Sequence, residues 1–127
     1  MSFLLDTHVF LWIVGGGPLS QVATEIILDP SSELYLSAAS YWEICIKTSL
    51  GKLELSTDWS IQFADVLMRN SIGWLDITPE AARRVVDLPF HHRDPFDRML
   101  IAQAMEGRHR LLSADQALRS YQIELVW

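Results

Sequence analysis

Short apolar runs alternate along the chain with longer segments in which apolar residues recur every three or four positions. The short runs have the length and composition of buried strands, and the longer segments have the period of amphipathic helices. The pattern predicts strands at residues 3–5, 33–37, 73–77, 110–113 and 122–127. It predicts helices at residues 7–14, 19–28, 38–53, 58–71, 79–86, 94–107 and 114–121. The third of these helices is expected to end near Gly51.

The alternation of strands and helices determines the fold class. Strands separated by helices indicate a parallel sheet with helices on both faces. We therefore expect an α/β protein, a three-layer α/β/α sandwich around a central, mostly parallel sheet. With 127 residues, no linker and no internal repeat, the chain is expected to form a single domain over residues 1–127. In such sheets, ligands bind at the carboxyl ends of the strands.

Composition and charge argue against several classes of protein. Half of the residues are hydrophobic, yet no apolar run approaches the ~18 residues of a membrane span. The apolar N-terminus lacks a basic segment and contains Asp6 and His8, so no signal peptide is expected. The single cysteine, Cys45, fits a reducing, cytoplasmic location. The net charge of −6 argues against a general nucleic-acid coat protein, although an enzyme can still contact nucleic acid locally.

Four acidic residues fall at the predicted carboxyl edge of the sheet. Asp6 follows the first strand, and Glu43 lies in the first turns of the helix after the second strand. Asp97 begins the helix that leads into the fourth strand, and Asp115 comes two residues after Ser113, the end of that strand. These acids are far apart in sequence, but the fold brings them to the edge where α/β sheets place their active sites.

Each of these acids also has an explanation as a helix cap. Asp6 and Asp115 suit the N-cap positions of the helices that follow them, and Ser40 with Glu43 has the spacing of a capping box. In the segment DPFD, aspartate, proline and a second aspartate are placed as in a standard helix start. Capping explains any single acid well. It explains four acids at one edge less well.

Convergence of these acids would require a cation. Several carboxylates within a few ångström cannot all stay ionised cheaply unless a positive ion lies among them. Oxygen ligands without a Cys or His cluster favour Mg²⁺ or Mn²⁺ over zinc. Such an ion can lower the pKa of a bound water, orient a phosphodiester and stabilise the leaving oxygen. The acids therefore indicate phosphodiester hydrolysis.

Four segments then carry a family resemblance. LLDTHVFLW, SAASYWEICIKTSLGKL, HHRDPFDRMLIAQA and LLSADQAL follow one another in this order between residue 3 and about residue 126. Together they resemble a PIN-domain ribonuclease of the VapC-like toxin family. The resemblance implies a PIN-like fold and a metal-dependent endoribonuclease, the toxin of a toxin-antitoxin pair that inhibits translation or growth. It also implies an RNA substrate, a homodimer, and a cognate antitoxin whose peptide packs into the active-site groove.

The resemblance assigns roles to individual residues. Asp6, Glu43 and Asp97 match the three acids that bind Mg²⁺ or Mn²⁺ in the family. Asp115 matches the fourth and more variable acid, which often acts through water or a second metal. Ser113 stands where the family commonly has Thr or Ser, which implies a supporting polar contact.

Further polar residues near these segments are candidates for supporting roles. Asp94 is expected to cap the helix, with an outer-shell role as the second alternative. Lys47 lies four residues after Glu43 and either contacts phosphate or forms a surface pair with that acid. Arg98 and Arg93 flank Asp97, and at least one of them is expected to contact RNA rather than solvent alone. The two histidines before them are expected in a loop without a zinc set.

Two alternatives from other classes remain open at this point. A phospho-acceptor receiver module shares the length, the sheet and an acidic Mg²⁺ pocket. It would need adjacent acids after the first strand and a lysine after a late strand, whereas Asp6 stands alone and the only lysines are Lys47 and Lys52. The other alternative is a non-catalytic interaction domain, in which the acids would serve only as helix caps.

Overall fold

The computed structural model describes all 127 residues and contains five strands, six α-helices and one 3₁₀ helix. The strands are β1 (Ser2–Leu5), β2 (Glu33–Ser37), β3 (Ile72–Leu75), β4 (Arg110–Leu112) and β5 (Leu125–Val126). The α-helices are α1 (Thr7–Gly15), α2 (Gln21–Leu28), α3 (Ala38–Ser49), α4 (Trp59–Arg69), α5 (Pro79–Val85) and α6 (Pro95–Gly107). The 3₁₀ helix covers Gln116–Ser120. None of the helices combines the length and the apolar character needed to span a bilayer.

The strands form one parallel sheet in the order β3-β2-β1-β4-β5. Strand β1 is central, and its last residue, Leu5, lies opposite Leu36 on one side and Leu112 on the other. The chain moves outward from β1 in one direction through β2 and β3, then crosses to the other side for β4 and β5. This order has its switch point beside β1, where open α/β sheets form a crevice at the carboxyl edge.

Alternate residues of the strands supply two separate cores. On one face, Phe3 and Leu5 pack in a cluster with Phe10 and Phe63, whose rings meet edge to face at 5.1 Å. On the other face, Leu4 belongs to a cluster of ten buried residues, four of which lie on α6. Burial of both faces requires the near-continuous apolar strands that the sequence shows. The three-layer α/β/α prediction is confirmed.

The side chain of Ser37 caps α3, one of the helices that begin beside the site. The Ser37 hydroxyl accepts the Ala39 N–H at 3.0 Å and so begins α3. The capping box that was the alternative explanation for Ser40 and Glu43 is therefore absent, because the helix starts three residues earlier. Ser40 is instead buried, and its hydroxyl hydrogen-bonds to the Thr7 hydroxyl at 2.9 Å.

The predicted end of α3 near Gly51 is confirmed, because the helix ends at Ser49 and Gly51 takes the left-handed φ of 71° just beyond it. The last strand, in contrast, is shorter than predicted. The last strand contains two residues instead of six. The cause is a tight turn in which the Ile123 N–H bonds to the Tyr121 carbonyl, so pairing with β4 begins only at the Glu124 carbonyl.

Candidate active site

The elements at the carboxyl edge of the sheet present the four acidic residues. Asp6 follows β1 directly, and Glu43 lies in the second turn of α3. Asp97 lies in the first turn of α6, and Asp115 precedes the 3₁₀ helix after β4. Asp6 and Glu43 are buried, whereas Asp97 and Asp115 are progressively more exposed. The acids thus form a cleft with a buried floor and an open rim.

Asp6 stands at the N-cap position of α1, but its side chain makes no capping hydrogen bond. Instead, its Oδ2 atom accepts the Ser113 hydroxyl at 2.6 Å. The same Ser113 oxygen accepts the Asp115 N–H at 3.1 Å, so it joins the ends of β1 and β4. Burial raises the pKa of Asp6, while the Ser113 hydrogen bond acts in the opposite direction. A buried acid that does not cap its helix is available for another role.

Glu43 is fixed by one neutral and one charged donor. Its Oε1 atom accepts the Thr7 hydroxyl at 2.9 Å, and its Oε2 atom accepts the Lys47 ammonium at 2.7 Å. The hydrogen bond to Glu43 raises the pKa of Lys47, and the charges of Asp94 and Asp97 act in the same direction. Lys47 therefore lies within the field of Asp94 and Asp97 as well as that of Glu43.

Asp97 is the acid whose protonation the site changes most. Burial raises its pKa to about 7, and the negative charges of Asp6, Asp94 and Glu43 contribute to the increase. Its N–H binds the Asp94 carboxylate at 3.1 Å, together with the Phe96 N–H at 2.8 Å. The prediction that Asp94 caps α6 is confirmed. Because Asp94 accepts these main-chain bonds, the side chain of Asp97 is left free to face the other acids.

Asp115 divides its carboxylate between two tasks. Its Oδ1 atom caps the 3₁₀ helix by accepting the Ala117 N–H at 3.1 Å. Its Oδ2 atom lies 3.3 Å from Nε2 of His92. The expected loop position of His92 is confirmed, but the structure also groups its ring with Asp97 and Asp115 as three possible metal ligands, which the expectation of no zinc set had not foreseen. Asp115 lies 23 residues away in sequence, and no spacing in the sequence relates the two.

Arg98 does not face the cleft. Its side chain is buried, and its guanidinium donates to the carbonyl oxygens of Val85, Leu88 and Pro89 at 2.9 to 3.2 Å. The predicted RNA contact by Arg98 is therefore wrong, since burial removes it from any phosphate. The carbonyl oxygens at the end of α5 and in the loop after it need hydrogen-bond donors, and the buried Arg98 guanidinium supplies them. Arg93, in contrast, is exposed on the loop before α6.

The donor set suits a divalent cation. Four carboxylates converge at the edge. Lys47 is the lysine that contacts one of them, Glu43. Oxygen donors of this kind prefer hard divalent ions, which would relieve the repulsion that adds to the effect of burial on the pKa of Asp97. The cluster can thus hold a metal, and its residues fit one.

Comparison with known proteins identifies the family. A family model described as the PIN domain matches residues 3–124. Ribonuclease VapC22 of Mycobacterium tuberculosis (strain ATCC 25618 / H37Rv) is 29% identical over 124 residues, which cover 94% of this chain and 92% of that protein.

Solved structures share the fold. VapBC2 from Rickettsia felis, bound to a DNA fragment from its promoter, matches with a TM-score of 0.78 at 13% identity over 99% of this chain and 98% of that one. DNA-bound VapBC from Salmonella typhimurium matches with a TM-score of 0.72 at 17% identity, over 99% of this chain and 97% of that one. At these identities the likeness concerns the fold alone. The family model, however, spans nearly the whole chain, and this chain belongs to the PIN-domain family.

Proposed function

We propose that this protein is a metal-dependent endoribonuclease that hydrolyses RNA phosphodiester bonds, and that it is the toxin of a toxin-antitoxin pair. The observation that carries the proposal is the convergence of Asp6, Glu43 and Asp97 at the carboxyl edge of a PIN-domain sheet. The similarity to a protein named ribonuclease VapC22 supports RNA as the substrate. In this proposal a single domain, residues 1–127, supplies every side chain of the site.

The acids have distinct parts in this mechanism. Asp6, Glu43 and Asp97 would hold a divalent cation, with Asp115 at the open rim as a fourth, more loosely placed ligand. The carboxylate oxygens by themselves make Mg²⁺ the expected ion and Mn²⁺ an alternative. When bound, such an ion activates water and neutralises charge on the leaving oxygen. Ser113 orients Asp6 by its 2.6 Å hydrogen bond and so keeps one carboxylate oxygen directed into the cleft.

Basic side chains at the rim complete the proposed site. Lys47 is partly exposed beside Glu43, so its ammonium can contact a phosphate oxygen while it remains paired. Arg93 is exposed on the loop before α6 and offers a second contact. An acidic protein needs such local positive charge to hold an anionic strand. RNA as the substrate and the unpaired Cys45 both suit a cytoplasmic protein.

The alternative functions fit the structure less well. A receiver module would need a lysine after a late strand, but both lysines lie between β2 and α4. In an interaction domain the acids would serve as caps, which describes Asp94 and part of Asp115. It does not describe Asp6, whose carboxylate caps nothing while it is buried beside other acids. Burying an acid in this way costs free energy and requires another explanation.

Two protein partners belong to the proposal. A cognate antitoxin is supported by the VapBC complexes that share the fold, and it would cover the cleft and block access to the acids. A second copy of the chain would cover an apolar groove of about 600 Å³ between α3, α5 and the start of α6. Trp42, Val86 and Phe90 line this groove and are mostly exposed. Exposed aromatic and aliphatic side chains grouped in this way are typical of protein interfaces.

Cleavage of defined RNAs tests the proposed activity. Protein freed of any co-purified partner is incubated with end-labelled structured RNAs in Mg²⁺ or in EDTA. Wild type is compared with Asp97→Asn and with Asp65→Asn, a matched change at an exposed aspartate on α4. We expect cleavage that requires Mg²⁺, survives Asp65→Asn and is lost in Asp97→Asn. Equal cleavage by wild type and Asp97→Asn, or cleavage in EDTA, would contradict the proposed function.

A further inference from the structure

His92, a residue to which the proposed mechanism assigns no part, reaches the acid cluster from the loop before α6. Its Nε2 atom lies 3.3 Å from Oδ2 of Asp115 and 4.0 Å from Oδ2 of Asp97. The ligand atoms that these three residues offer all lie within 4.8 Å of one another. Neighbouring ligands of a small octahedral cation, bound at ~2.1 Å, lie roughly 3 Å apart and opposite ligands roughly 4 Å apart. The observed spacing therefore suits one shared ion.

The main chain of His92 is fixed independently of its ring. The His92 N–H donates to the Tyr121 hydroxyl at 2.9 Å, and its carbonyl oxygen accepts from the Arg98 guanidinium at 3.4 Å. Arg98 is buried and also holds the carbonyl oxygens of Leu88 and Pro89. Buried Arg98 and the Tyr121 hydroxyl thus set the position of the loop before any ion arrives. A ligand held in place by its surroundings loses little entropy when the ion binds.

We propose that His92 is a nitrogen ligand of the metal site and that it makes the site favour Mn²⁺ over Mg²⁺. The inference rests on the metal site of the proposed function and adds a residue to it. Carboxylates bind both ions, but Mg²⁺ keeps oxygen ligands and water, whereas first-row transition ions also accept imidazole. The buried acids supply the oxygen ligands common to both ions. His92, beside Asp97 and Asp115 at the rim, supplies the atom that distinguishes them.

A purely structural role for His92 would leave a different signature. In that case the ring would only donate a hydrogen bond to the Asp115 carboxylate and hold it in place. Glutamine can replace this donor, because its side-chain amide reaches nearly as far as Nε2. Glutamine cannot supply an imidazole nitrogen. His92→Gln therefore separates a metal ligand from a positioning residue.

The experiment measures metal binding without RNA. Metal-free protein is titrated with Mn²⁺ and, separately, with Mg²⁺, and the Mn²⁺ complex is examined by pulsed electron paramagnetic resonance for coupling to ¹⁴N. Wild type is compared with His92→Gln and with His91→Gln. His91 is the matched control, because it lies next in the same loop with its ring against Tyr121. Thermal unfolding of each variant without metal verifies that the fold is intact.

The expected result is specific to one ion and one residue. His92→Gln should weaken Mn²⁺ binding by about tenfold or more, while Mg²⁺ binding changes by less than about threefold. The imidazole ¹⁴N coupling should be present in wild type and in His91→Gln and absent in His92→Gln. Absence of ¹⁴N coupling in wild type, an equal loss for both ions, or no Mn²⁺ binding at millimolar concentration would overturn the inference.

The outcome can be separated from that of the proposed function. RNA cleavage that needs Asp97, together with Mn²⁺ that shows no coupling to His92, would leave the nuclease standing and remove His92 from the metal site. Mn²⁺ bound through His92 in a protein that cleaves no RNA would keep His92 as a metal ligand and remove the proposed nuclease function.

Discussion

Both edges of the sheet carry charged side chains, but they arrange them differently. At the amino edge, a cavity of about 640 Å³ is lined by residues that include Glu33, Arg110 and Glu124. Acid and base are matched there, and Arg110 pairs with Glu124 at 2.8 Å. At the carboxyl edge, the acids outnumber the bases that touch them, and the pKa of Asp97 rises to about 7.

The difference shows that cavity size is a poor guide to the reactive part of this molecule. The amino-edge cavity is at least as large as the apolar groove near the acids, yet its charges balance. Balanced surface charges contribute little to stability and perform no chemistry. Unbalanced and partly buried charges are costly, so their presence at the carboxyl edge marks the functional end of the sheet.

The largest expected effect compares one acid from each edge. Asp6→Asn removes a charge from the proposed metal site, and Glu33→Gln removes one from the amino edge. Because loss of a group that merely supports a ligand costs about 10- to 100-fold, loss of the ligand Asp6 should reduce Mg²⁺-dependent RNA cleavage by at least about a hundredfold. Glu33→Gln should cleave RNA at the wild-type rate. A comparable loss in both variants, measured as initial rates on one RNA, would erase the distinction between the edges.

The second expected effect is thermal. Mg²⁺ at about ten times its dissociation constant should stabilise the wild-type protein by roughly 1.4 kcal/mol, which raises the melting temperature by a few degrees. Asp97→Asn should lose most of this gain. It should also melt at a higher temperature than wild type in EDTA at pH 8, because the buried negative charge of Asp97 and its repulsion by the neighbouring carboxylates are removed. Calorimetry of both proteins with and without Mg²⁺ gives the four values needed. An equal Mg²⁺ response in both proteins would count against a metal site at Asp97.

The third expected effect concerns pH and has opposite signs at the two edges. In metal-free protein the pKa of Asp97 is about 7, above its ordinary 3.8, so the folded state binds the extra proton. Its contribution to the free energy of unfolding should fall as pH rises from about 4 to about 7. Burial lowers the pKa of His109 at the amino edge, where its ring contacts Ser2. Its contribution should rise as pH increases toward its ordinary value of 6.5.

Single variants separate these two contributions. Urea unfolding of metal-free protein between pH 4 and pH 8 measures the free energy of unfolding across the whole window. Asp97→Asn should unfold with a steeper rise, or a weaker fall, of stability with pH than wild type. His109→Gln should do the opposite. Curves parallel to wild type in either variant would show that the group does not titrate as described.

Much of the fold and of the site could be predicted from sequence, because both depend on local patterns. Leu4 and Leu5 are apolar in succession because β1 is buried on both faces, and this marks a central parallel strand. Asp6 could be placed at the carboxyl edge because it follows that strand directly. DPFD predicted the cap at Asp94 because proline suits the first helical position.

The remainder depended on tertiary contacts that no spacing encodes. Arg98 was expected to face RNA or solvent because it is charged, but it is buried against carbonyl groups of residues 6 to 13 positions earlier in the chain, at the end of α5 and in the loop after it. His92 enters the site only because Arg98 and Tyr121 hold its main chain. The two-residue length of β5 likewise depends on a turn at Tyr121. Satisfaction of buried polar groups, rather than apolar pattern, determined these features.

The last comparison, which includes the smallest expected effect, concerns two ion pairs of nearly equal length. Lys47 meets Glu43 at 2.7 Å, and Arg110 meets Glu124 at 2.8 Å, but the Glu43 side chain is 6% exposed and that of Glu124 59%. Arg110→Met should change the free energy of unfolding by at most about 0.5 kcal/mol, because water solvates the remaining acid. Lys47→Met leaves a buried carboxylate without its cation, so it should cost roughly 1–3 kcal/mol in EDTA. Mg²⁺ should restore part of that loss in Lys47→Met and nothing in Arg110→Met, since only the first leaves an uncompensated charge within reach of the ion. Urea unfolding of both variants with and without Mg²⁺ measures all four free energies, and an equal Mg²⁺ effect on the two would place the ion away from Glu43.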